Sequence, residues 1–158
     1  PLAHREPGVI GAAAENSKVT AELITDGIHI HESAVRAAFA LFGKERMVLV
    51  SDSMMACGMA NGEYMLGGQK VFVNGRKATL SDGTIAGSAT HLYDCMRTAI
   101  SFGIKPEDAI RAATINPARV IGADKEVGSL TIGKIADFVV CNPDWTMDSV
   151  YFAGNRVP

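Results

Sequence analysis

The run MVLVS, residues 47–51, constrains the fold more than any other feature, because it is almost entirely apolar and ends directly before Asp52. A continuous apolar run that follows a helical pattern is typical of a parallel strand buried on both faces. Helical spacing of apolar residues precedes it at 34–42, and the β-branched run VTAELI, residues 19–24, comes before that. Residues 19–52 therefore predict a strand–helix–strand unit with parallel strands, which indicates an α/β fold.

Capping residues predict the remaining helices. Ser33 is the candidate N-cap of the helix at 34–42, and Gly43 is its candidate end. Proline at a first helical turn and glycine after a last turn mark other helix boundaries. On these signals, further helices are expected at 8–15, 90–102, 106–113 and 116–122.

Turn residues predict the remaining β-structure. Residues 69–80 predict a hairpin, because alternating apolar residues flank Asn74-Gly75, the strongest short turn signal. Residues 81–91, SDGTIAGSATH, predict a glycine-containing loop that leads into a helix. After Gly128 the pattern changes to short antiparallel strands separated by Gly, Asn and Asp turns.

Charge and hydropathy exclude two kinds of partner. The 158 residues carry a formal net charge of -2 with no basic run or basic-aromatic patch, so we expect no nucleic-acid binding. No apolar stretch approaches the roughly 20 residues that cross a bilayer, and no signal peptide opens the chain, so we expect no membrane association. The widely spaced Cys57, Cys95 and Cys141 predict free, buried thiols and a cytoplasmic protein. The start at Pro1 rather than Met suggests a fragment, a processed chain or a segment of something longer.

Asp52 is the first candidate for chemistry. A carboxylate at the carboxyl end of a buried strand stands where α/β barrels place catalytic groups, because the loops at that end form the site. The alternative is an Asx turn or a helix cap after the strand.

Histidines and an arginine give weaker signals. If their segment is extended, His29 and His31 point the same way and make half of a zinc site, or one of them binds substrate, or both are ordinary polar residues. Arg5 lies in a charged turn and could bind a phosphate or carboxylate, or simply be solvated. The backbone N–H groups of 81–91 could bind an anion, and His91 near a helix start is more often structural.

Several motifs together resemble a known family. ATINPARVIG (113–122) and GSLTIGKIADFVV (128–140) are similar to the tail of the amidohydrolase superfamily, where the chain leaves a (β/α)8 barrel and completes a small β-sandwich. REPG, TDGIHIH, LVSDSM and DGTIAGSA match, in order and spacing, the N-acetylglucosamine-6-phosphate deacetylase family. The resemblance implies that residues 1–122 are the C-terminal part of a metal-dependent amidohydrolase barrel of the TIM type. It also implies that residues 123–158 are the C-terminal strands of the small β-sandwich.

The resemblance also implies an activity and a set of site residues. The family hydrolyses N-acetylglucosamine 6-phosphate to glucosamine 6-phosphate and acetate in amino-sugar catabolism, with Asp52 matching the catalytic general base and then acid. Arg5 and His29 match residues that contact the sugar phosphate from the neighbouring subunit of a homodimer. His31 matches no functional position. The implied substrate-binding residues are Arg5, Asp26, Gly27, Ile28, His29, Ile85, Ala86 and Gly87.

The family's metal ligands do not match this chain. The resemblance implies a divalent ion, zinc or iron, held by a Glu and two His upstream of Pro1, so no metal ligand is assigned here. Residues 1–158 alone are then expected to be inactive and to aggregate or stay partly unfolded. The strand at 19–24 is expected to have a neighbouring side that is bare or filled by another segment. Two alternatives stay open: another amidohydrolase, such as a dihydroorotase-like enzyme or an acyl-amino-acid deacylase, and a non-catalytic β-rich module.

Overall fold

The computed structural model describes residues 2–158, so Pro1, where the first predicted domain begins, lies outside the described residues. The chain divides into two units, residues 1–113 and 114–158. The elements of the first unit are α1 (Gly8–Glu15), β1 (Ala21–Ile24), α2 (Glu32–Phe42), β2 (Met47–Val50), β3 (Gly62–Leu66), β4 (Gln69–Asn74), β5 (Lys77–Thr79), β6 (Ile85–Ser88), α3 (Leu92–Ser101) and α4 (Pro106–Ala113). The elements of the second unit are α5 (Ile115–Val120), β7 (Phe138–Cys141), β8 (Met147–Phe152) and β9 (Asn155–Arg156).

The predicted strand–helix–strand unit is confirmed, and with it the mixed α/β class. β1 and β2 pair in parallel, with Ala21 opposite Met47 and Ile24 opposite Val50. β2 is buried over most of its length, and α3 and α4 pack against it. This sheet has only these two strands, so within residues 2–158 each of them has one edge without a neighbouring strand.

Helix α2 begins earlier than predicted. Its N-cap is His31, whose Nδ1 accepts a hydrogen bond from the backbone N–H of Ser33 at 3.2 Å. The prediction of Ser33 as the cap is therefore wrong, because this residue already lies inside the first turn. Gly43 ends the helix as predicted, with φ 71°.

Arg46 ties α1 to the sheet. Its Nη1 donates to the Asn16 carbonyl oxygen at 2.9 Å, its Nη2 to that of Ala14 at 3.0 Å, and its Nε to that of Phe42 at 3.1 Å. The guanidinium carbon also lies 5.3 Å from the centroid of the Phe42 ring. α1 has no buried residues, so these bonds to its terminal carbonyls, rather than apolar packing, hold its C-terminal end.

A four-stranded antiparallel sheet, in the order β3-β4-β5-β6, follows the parallel pair. The predicted hairpin is confirmed, although Asn74 pairs with Lys77, so the two-residue turn is Gly75-Arg76 rather than Asn74-Gly75. The expectation of a loop over 81–91 is wrong in part, because residues 85–88 form β6 along the open edge of β5. The core of this sheet consists of Met54, Ala56, Val71, Val73, Ala78 and Ala89.

The second unit confirms the predicted antiparallel strands. β7, β8 and β9 form a three-stranded sheet, and the rings of Phe138 and Tyr151 stack with centroids 4.5 Å apart. Gly128 has φ 86°, and a Cβ there would lie 2.9 Å from the Cβ of Ala118. α5 belongs to this unit, whereas the predicted boundary falls after Gly122. Over the described part of the chain, no helix is both long and apolar enough to cross a membrane.

Candidate active site

Asp52 lies where the chain leaves the buried strand β2. The residue is exposed, and its φ of 50° is in the left-handed region that glycine adopts most easily. Its carbonyl oxygen accepts a hydrogen bond from the backbone N–H of Ser88 at 3.0 Å, and the N–H of Met54 donates to the Ser88 carbonyl at 2.8 Å. The backbone therefore holds this carboxylate beside β6 at an open surface.

The turn after β1 buries a second carboxylate. Oδ1 of Asp26 accepts hydrogen bonds from the backbone N–H groups of Ile28 at 2.9 Å and His29 at 3.0 Å. Oδ2 lies 2.7 Å from Nδ1 of His29. The Asp26 side chain is 0% exposed and that of His29 is 20% exposed. The imidazole is therefore held through Nδ1, and Nε2 is the nitrogen available to a ligand.

The charge state of Asp26 follows from these contacts. Burial by itself would raise the pKa of this carboxyl, but backbone hydrogen bonds from His29 and Ile28, together with the His29 side chain, hold the pKa below its ordinary value. Asp26 is therefore ionised at neutral pH and can only accept hydrogen bonds. This favours the His29 tautomer that carries a proton on Nδ1.

Two residues that the sequence analysis did not single out join this turn to its neighbours. Ser88 is buried, and its Oγ donates to Oδ2 of Asp26 at 3.4 Å while its backbone N–H binds the Asp52 carbonyl. Arg76, in the β4–β5 turn, donates from Nη2 to the Asp26 carbonyl oxygen at 3.0 Å. Ser88 directly follows the predicted binding segment 85–87. That position is the feature of the sequence that could have indicated a role for Ser88 in the site. Nothing in the local pattern marks Arg76.

The predicted binding segment 85–87 lies on β6 beside Asp52. Gly87 has φ 67°, and a Cβ there would lie 3.5 Å from the Cβ of Met54 and 3.8 Å from the carbonyl oxygen of Asp52. The φ requires glycine, and the absence of a side chain keeps this backbone close to the carboxylate. The next N–H, that of Ser88, is used by Asp52, so it is not available to bind an anion as the loop hypothesis supposed.

Other predicted residues lie apart from this network. Arg5 is exposed, and its Nη1 lies 2.9 Å from Nε2 of the adjacent His4. Within residues 2–158, no hydrogen bond or ion pair joins Arg5 to His29 or Asp52. His31 caps α2, so the two histidines of the H-x-H pair have different structural roles.

The residues present do not by themselves fit a metal ion. No three His, Cys, Asp or Glu side chains among residues 2–158 are grouped so that they could hold one. The described residues do offer two groups of the kinds that act in acid–base chemistry. These are the exposed Asp52, whose backbone carbonyl binds Ser88, and the His29 imidazole, which Asp26 orients.

Comparison with known proteins gives consistent matches. Residues 8–157 match the amidohydrolase family. The chain is 40% identical over 156 residues to the N-acetylglucosamine-6-phosphate deacetylase of Bacillus subtilis, covering 98% of this chain and 39% of that protein. It is 36% identical over 154 residues to a putative N-acetylgalactosamine-6-phosphate deacetylase of Escherichia coli K12, covering 97% of this chain and 92% of that protein.

Solved structures give the same picture. N-acetylglucosamine-6-phosphate deacetylase from Pasteurella multocida superposes with a TM-score of 0.92 at 26% identity, over 99% of this chain and 41% of that one. A mutant of the Mycobacterium smegmatis enzyme in complex with N-acetyl-D-glucosamine-6-phosphate superposes with a TM-score of 0.90 at 35% identity, over 99% of this chain and 42% of that one. The chain thus spans about two fifths of the length of the B. subtilis relative and of both structures.

Proposed function

We propose that this chain, which belongs to the amidohydrolase family, supplies the catalytic carboxylate of an enzyme that hydrolyses N-acetylglucosamine 6-phosphate to glucosamine 6-phosphate and acetate. The observation that carries the proposal is the position of the exposed Asp52 at the carboxyl end of β2, where its backbone carbonyl accepts a hydrogen bond from Ser88 on β6. It lies in a chain that resembles deacetylases of this substrate over nearly its whole length. The reaction belongs to amino-sugar catabolism, and we expect a cytoplasmic enzyme.

We propose that Asp52 is the general base and then the general acid. Its exposed carboxylate can take a proton from the water that attacks the acetamide carbon and pass it to the departing amine. Its place at the carboxyl end of β2 is where barrel enzymes position such groups.

We propose that the turn 26–29 and the segment 85–87 bind the sugar phosphate. His29 would contact the phosphate of the substrate bound in the neighbouring subunit through Nε2, because Nδ1 is held by Asp26. Gly27 and Ile28 shape the same turn, and Gly27 has φ 78°. Ile85, Ala86 and Gly87 would line the sugar beside Asp52, where no side chain at Gly87 obstructs the approach.

We propose that Arg5 and His29 reach the neighbouring active site of a homodimer. Arg5 is exposed and has only the adjacent His4 as a hydrogen-bond partner among the described residues, so its guanidinium could bind a phosphate. The pairing of this arginine with a histidine would supply the cationic clamp that a phosphosugar needs.

The finer fold assignment is also a proposal. β1 and β2, with α2 between them, would be the last two strands of a (β/α)8 barrel within residues 1–122, and residues 123–158 would contribute strands to a small β-sandwich. The parallel register supports this arrangement, as do the outer edges of the two strands, which have no neighbouring strand among residues 2–158. Amidohydrolases are generally metal-dependent, and we expect the enzyme to use a divalent zinc or iron ion, for which no ligand is assigned among these residues.

Substrate comparison tests the function. The complete enzyme that contains this chain should have its highest kcat/KM with N-acetylglucosamine 6-phosphate, a lower value with N-acetylgalactosamine 6-phosphate, and very little activity with unphosphorylated N-acetylglucosamine. Preference for dihydroorotate or an N-acyl amino acid would contradict the proposal in favour of another amidohydrolase activity.

An arginine variant tests the phosphosugar contact. Arg5→Ala should raise KM for the phosphorylated sugar at least ~10-fold, because a charge-assisted contact to phosphate is lost. Arg97→Ala, which removes an exposed arginine 3.5 Å from Asp94 on α3, is the matched control and should leave KM unchanged. An unchanged KM in the Arg5 variant would rule out this contact.

A further inference from the structure

Arg76 binds the turn that carries His29 from a distant part of the chain. It lies in the turn between β4 and β5, and its Nη2 donates to the Asp26 carbonyl oxygen at 3.0 Å and to Oγ1 of Thr98, on α3, at 3.1 Å. Nη2 carries two hydrogens, so each acceptor takes one of them. One planar guanidinium therefore joins three segments of the first unit: the hairpin, the turn 26–29 and α3.

Both acceptors of Arg76 are uncharged. Arg36, Arg97 and Arg111, by contrast, each pair with a carboxylate. Among residues 2–158, Arg76 forms no ion pair, and a hydrogen bond from a charged donor is stronger than one between neutral groups. The contacts of Arg76 therefore restrain the Asp26 backbone rather than neutralise a charge.

The peptide group that Arg76 binds adjoins a glycine. The Asp26 carbonyl belongs to the peptide between Asp26 and Gly27, and Gly27 has φ 78°. Because glycine takes positive and negative φ with similar ease, this peptide plane can rotate unless its carbonyl is held. The bonds that Oδ1 of Asp26 accepts from the N–H groups of Ile28 and His29 fix the later part of the turn but not this carbonyl. Arg76 supplies that restraint.

The preceding residue is fixed separately. Oγ1 of the buried Thr25 donates to the Cys95 carbonyl on α3 at 2.9 Å. Cys95 is fully buried, whereas Cys57 and Cys141 are half-buried, so the sequence-based expectation of three buried thiols holds for Cys95 alone. The start of the turn is thus attached to α3, and Arg76 acts one residue further along.

We propose that Arg76 is a positioning residue for phosphate recognition, which holds the Asp26 carbonyl and thereby fixes the orientation in which His29 presents Nε2 to the sugar phosphate. The inference rests on the proposed function, because it gives Arg76 a part in the phosphate contact of His29. Arg76 acts through the turn, so its loss weakens binding of the phosphorylated sugar and leaves the Asp52 carboxylate in place.

Steady-state kinetics of the complete enzyme that contains this chain test the effect on binding. Arg76→Met should raise KM for N-acetylglucosamine 6-phosphate at least ~5-fold and leave kcat within ~2-fold of wild type, because binding is lost and the chemical step is not. Arg76→Lys should recover part of this KM, since an ammonium group can also donate to the carbonyl. Lys77→Met removes the neighbouring exposed positive charge on β5 and is the matched control, with KM unchanged.

A double-mutant cycle tests whether Arg76 acts through His29. His29→Gln alone should raise KM, and adding Arg76→Met should raise it less than ~2-fold further, because the side chain that Arg76 positions is already gone. A full additional effect of Arg76→Met in the His29→Gln background would overturn the proposal. So would an unchanged KM in Arg76→Met when His29→Gln raises KM.

Hydrogen–deuterium exchange separates failure of this inference from failure of the proposed function. The amides of Ile28 and His29 should exchange at least ~5-fold faster in Arg76→Met than in the wild type or Lys77→Met, with exchange along β2 unchanged. If His29→Gln leaves KM unchanged, the phosphate role of both residues falls, and the exchange rates decide whether Arg76 positions the turn. Unchanged exchange at both amides, or equally faster exchange along β2, would overturn that positioning role whichever substrate the enzyme hydrolyses.

Discussion

Oδ2 of Asp26 and Nδ1 of His29 lie 2.7 Å apart, in the turn that follows β1. Because the Asp26 side chain is fully buried and also accepts two backbone N–H groups, it orients the imidazole before any ligand arrives. The same carboxylate therefore shapes the turn and sets the tautomer of the histidine, and its loss should be seen in stability as well as in activity.

Replacing Asp26 with asparagine should make the free energy of unfolding change less between neutral and acidic pH. The folded-state pKa of Asp26 is held below 3.8, so its stabilising contribution is fully present above the unfolded-state pKa and is lost as the pH falls through the folded-state pKa. Urea unfolding should show the largest stability difference between wild type and Asp26→Asn at neutral pH, and a smaller one near pH ~3.5. Glu63→Gln removes one partner of an exposed ion pair with Lys70. The stability difference between this variant and the wild type should be small and should not shrink in the same way at low pH. A constant difference down to that pH would contradict the assigned pKa direction.

Different substitutions at Asp52 should distinguish the effect of its carboxylate on kcat from the effect of its backbone strain on stability. Asp52→Asn should lower kcat at least ~10²-fold, because the proposed general base is lost while the shape of the side chain is kept. Asp52→Gly should unfold with a free energy about 1 kcal/mol higher than Asp52→Ala, because only glycine takes the φ of 50° without strain. Steady-state assays and urea titrations measure the two effects. Substantial turnover in the asparagine variant, or equal stability of the glycine and alanine variants, would count against these assignments.

Arg46→Met should destabilise the protein by about 2 kcal/mol, because carbonyl oxygens at the end of α1 and on α2 lose a charged donor. Methionine keeps much of the apolar stem, so the change isolates the hydrogen bonds. Arg97→Met is the control, since its pair with Asp94 is 3.5 Å long and exposed, and its effect should stay within about 0.5 kcal/mol. Urea unfolding curves that show the same midpoint for both variants would argue against the role given to Arg46.

Gly128→Ala should destabilise the second unit by more than about 2 kcal/mol, from both the positive φ and the close contacts of the new methyl group. A Cβ at Gly128 would meet the Cα of Ile115 at 3.0 Å as well as the side chain of Ala118. Gly133→Ala has a similar φ of 93° with open space around it, so it should cost only about 1 kcal/mol. Fluorescence of Trp145, the single tryptophan of the chain, reports on this unit. Equal losses of stability in the two variants would show that the neighbours of Gly128 move aside for the new methyl group without a cost in free energy.

Patterns within short stretches of the sequence predicted those helices and strands whose formation depends on neighbouring residues in the chain. The run at 47–51 is apolar at nearly every position, so it identified β2 and, with the preceding helix, the parallel unit. β6 was missed because it is a strand only by pairing with β5, which the sequence of 85–88 does not reveal. His31 was missed as a cap because Ser33 has the stronger intrinsic preference for that position.

Prediction of the candidate site was limited in the same way. Asp52 stands out because it ends a buried strand, and His29 because it follows a turn. Ser88 and Arg76 connect to Asp26 from positions 62 and 50 residues away along the chain, and such contacts leave no periodicity or spacing in the sequence. The hydrogen bonds that Ser88 and Arg76 make to Asp26 therefore became visible only in three dimensions.

The left-handed backbone at Asp52 has an evolutionary consequence. Since glycine suits that φ better than aspartate does, selection for a robust fold and selection for turnover favour different residues at this position. On the proposed acid–base role of Asp52, aspartate is retained there because turnover requires its carboxylate. In a lineage that has lost the reaction but kept the fold, this position should be among the first to drift, and glycine should be the residue it drifts towards.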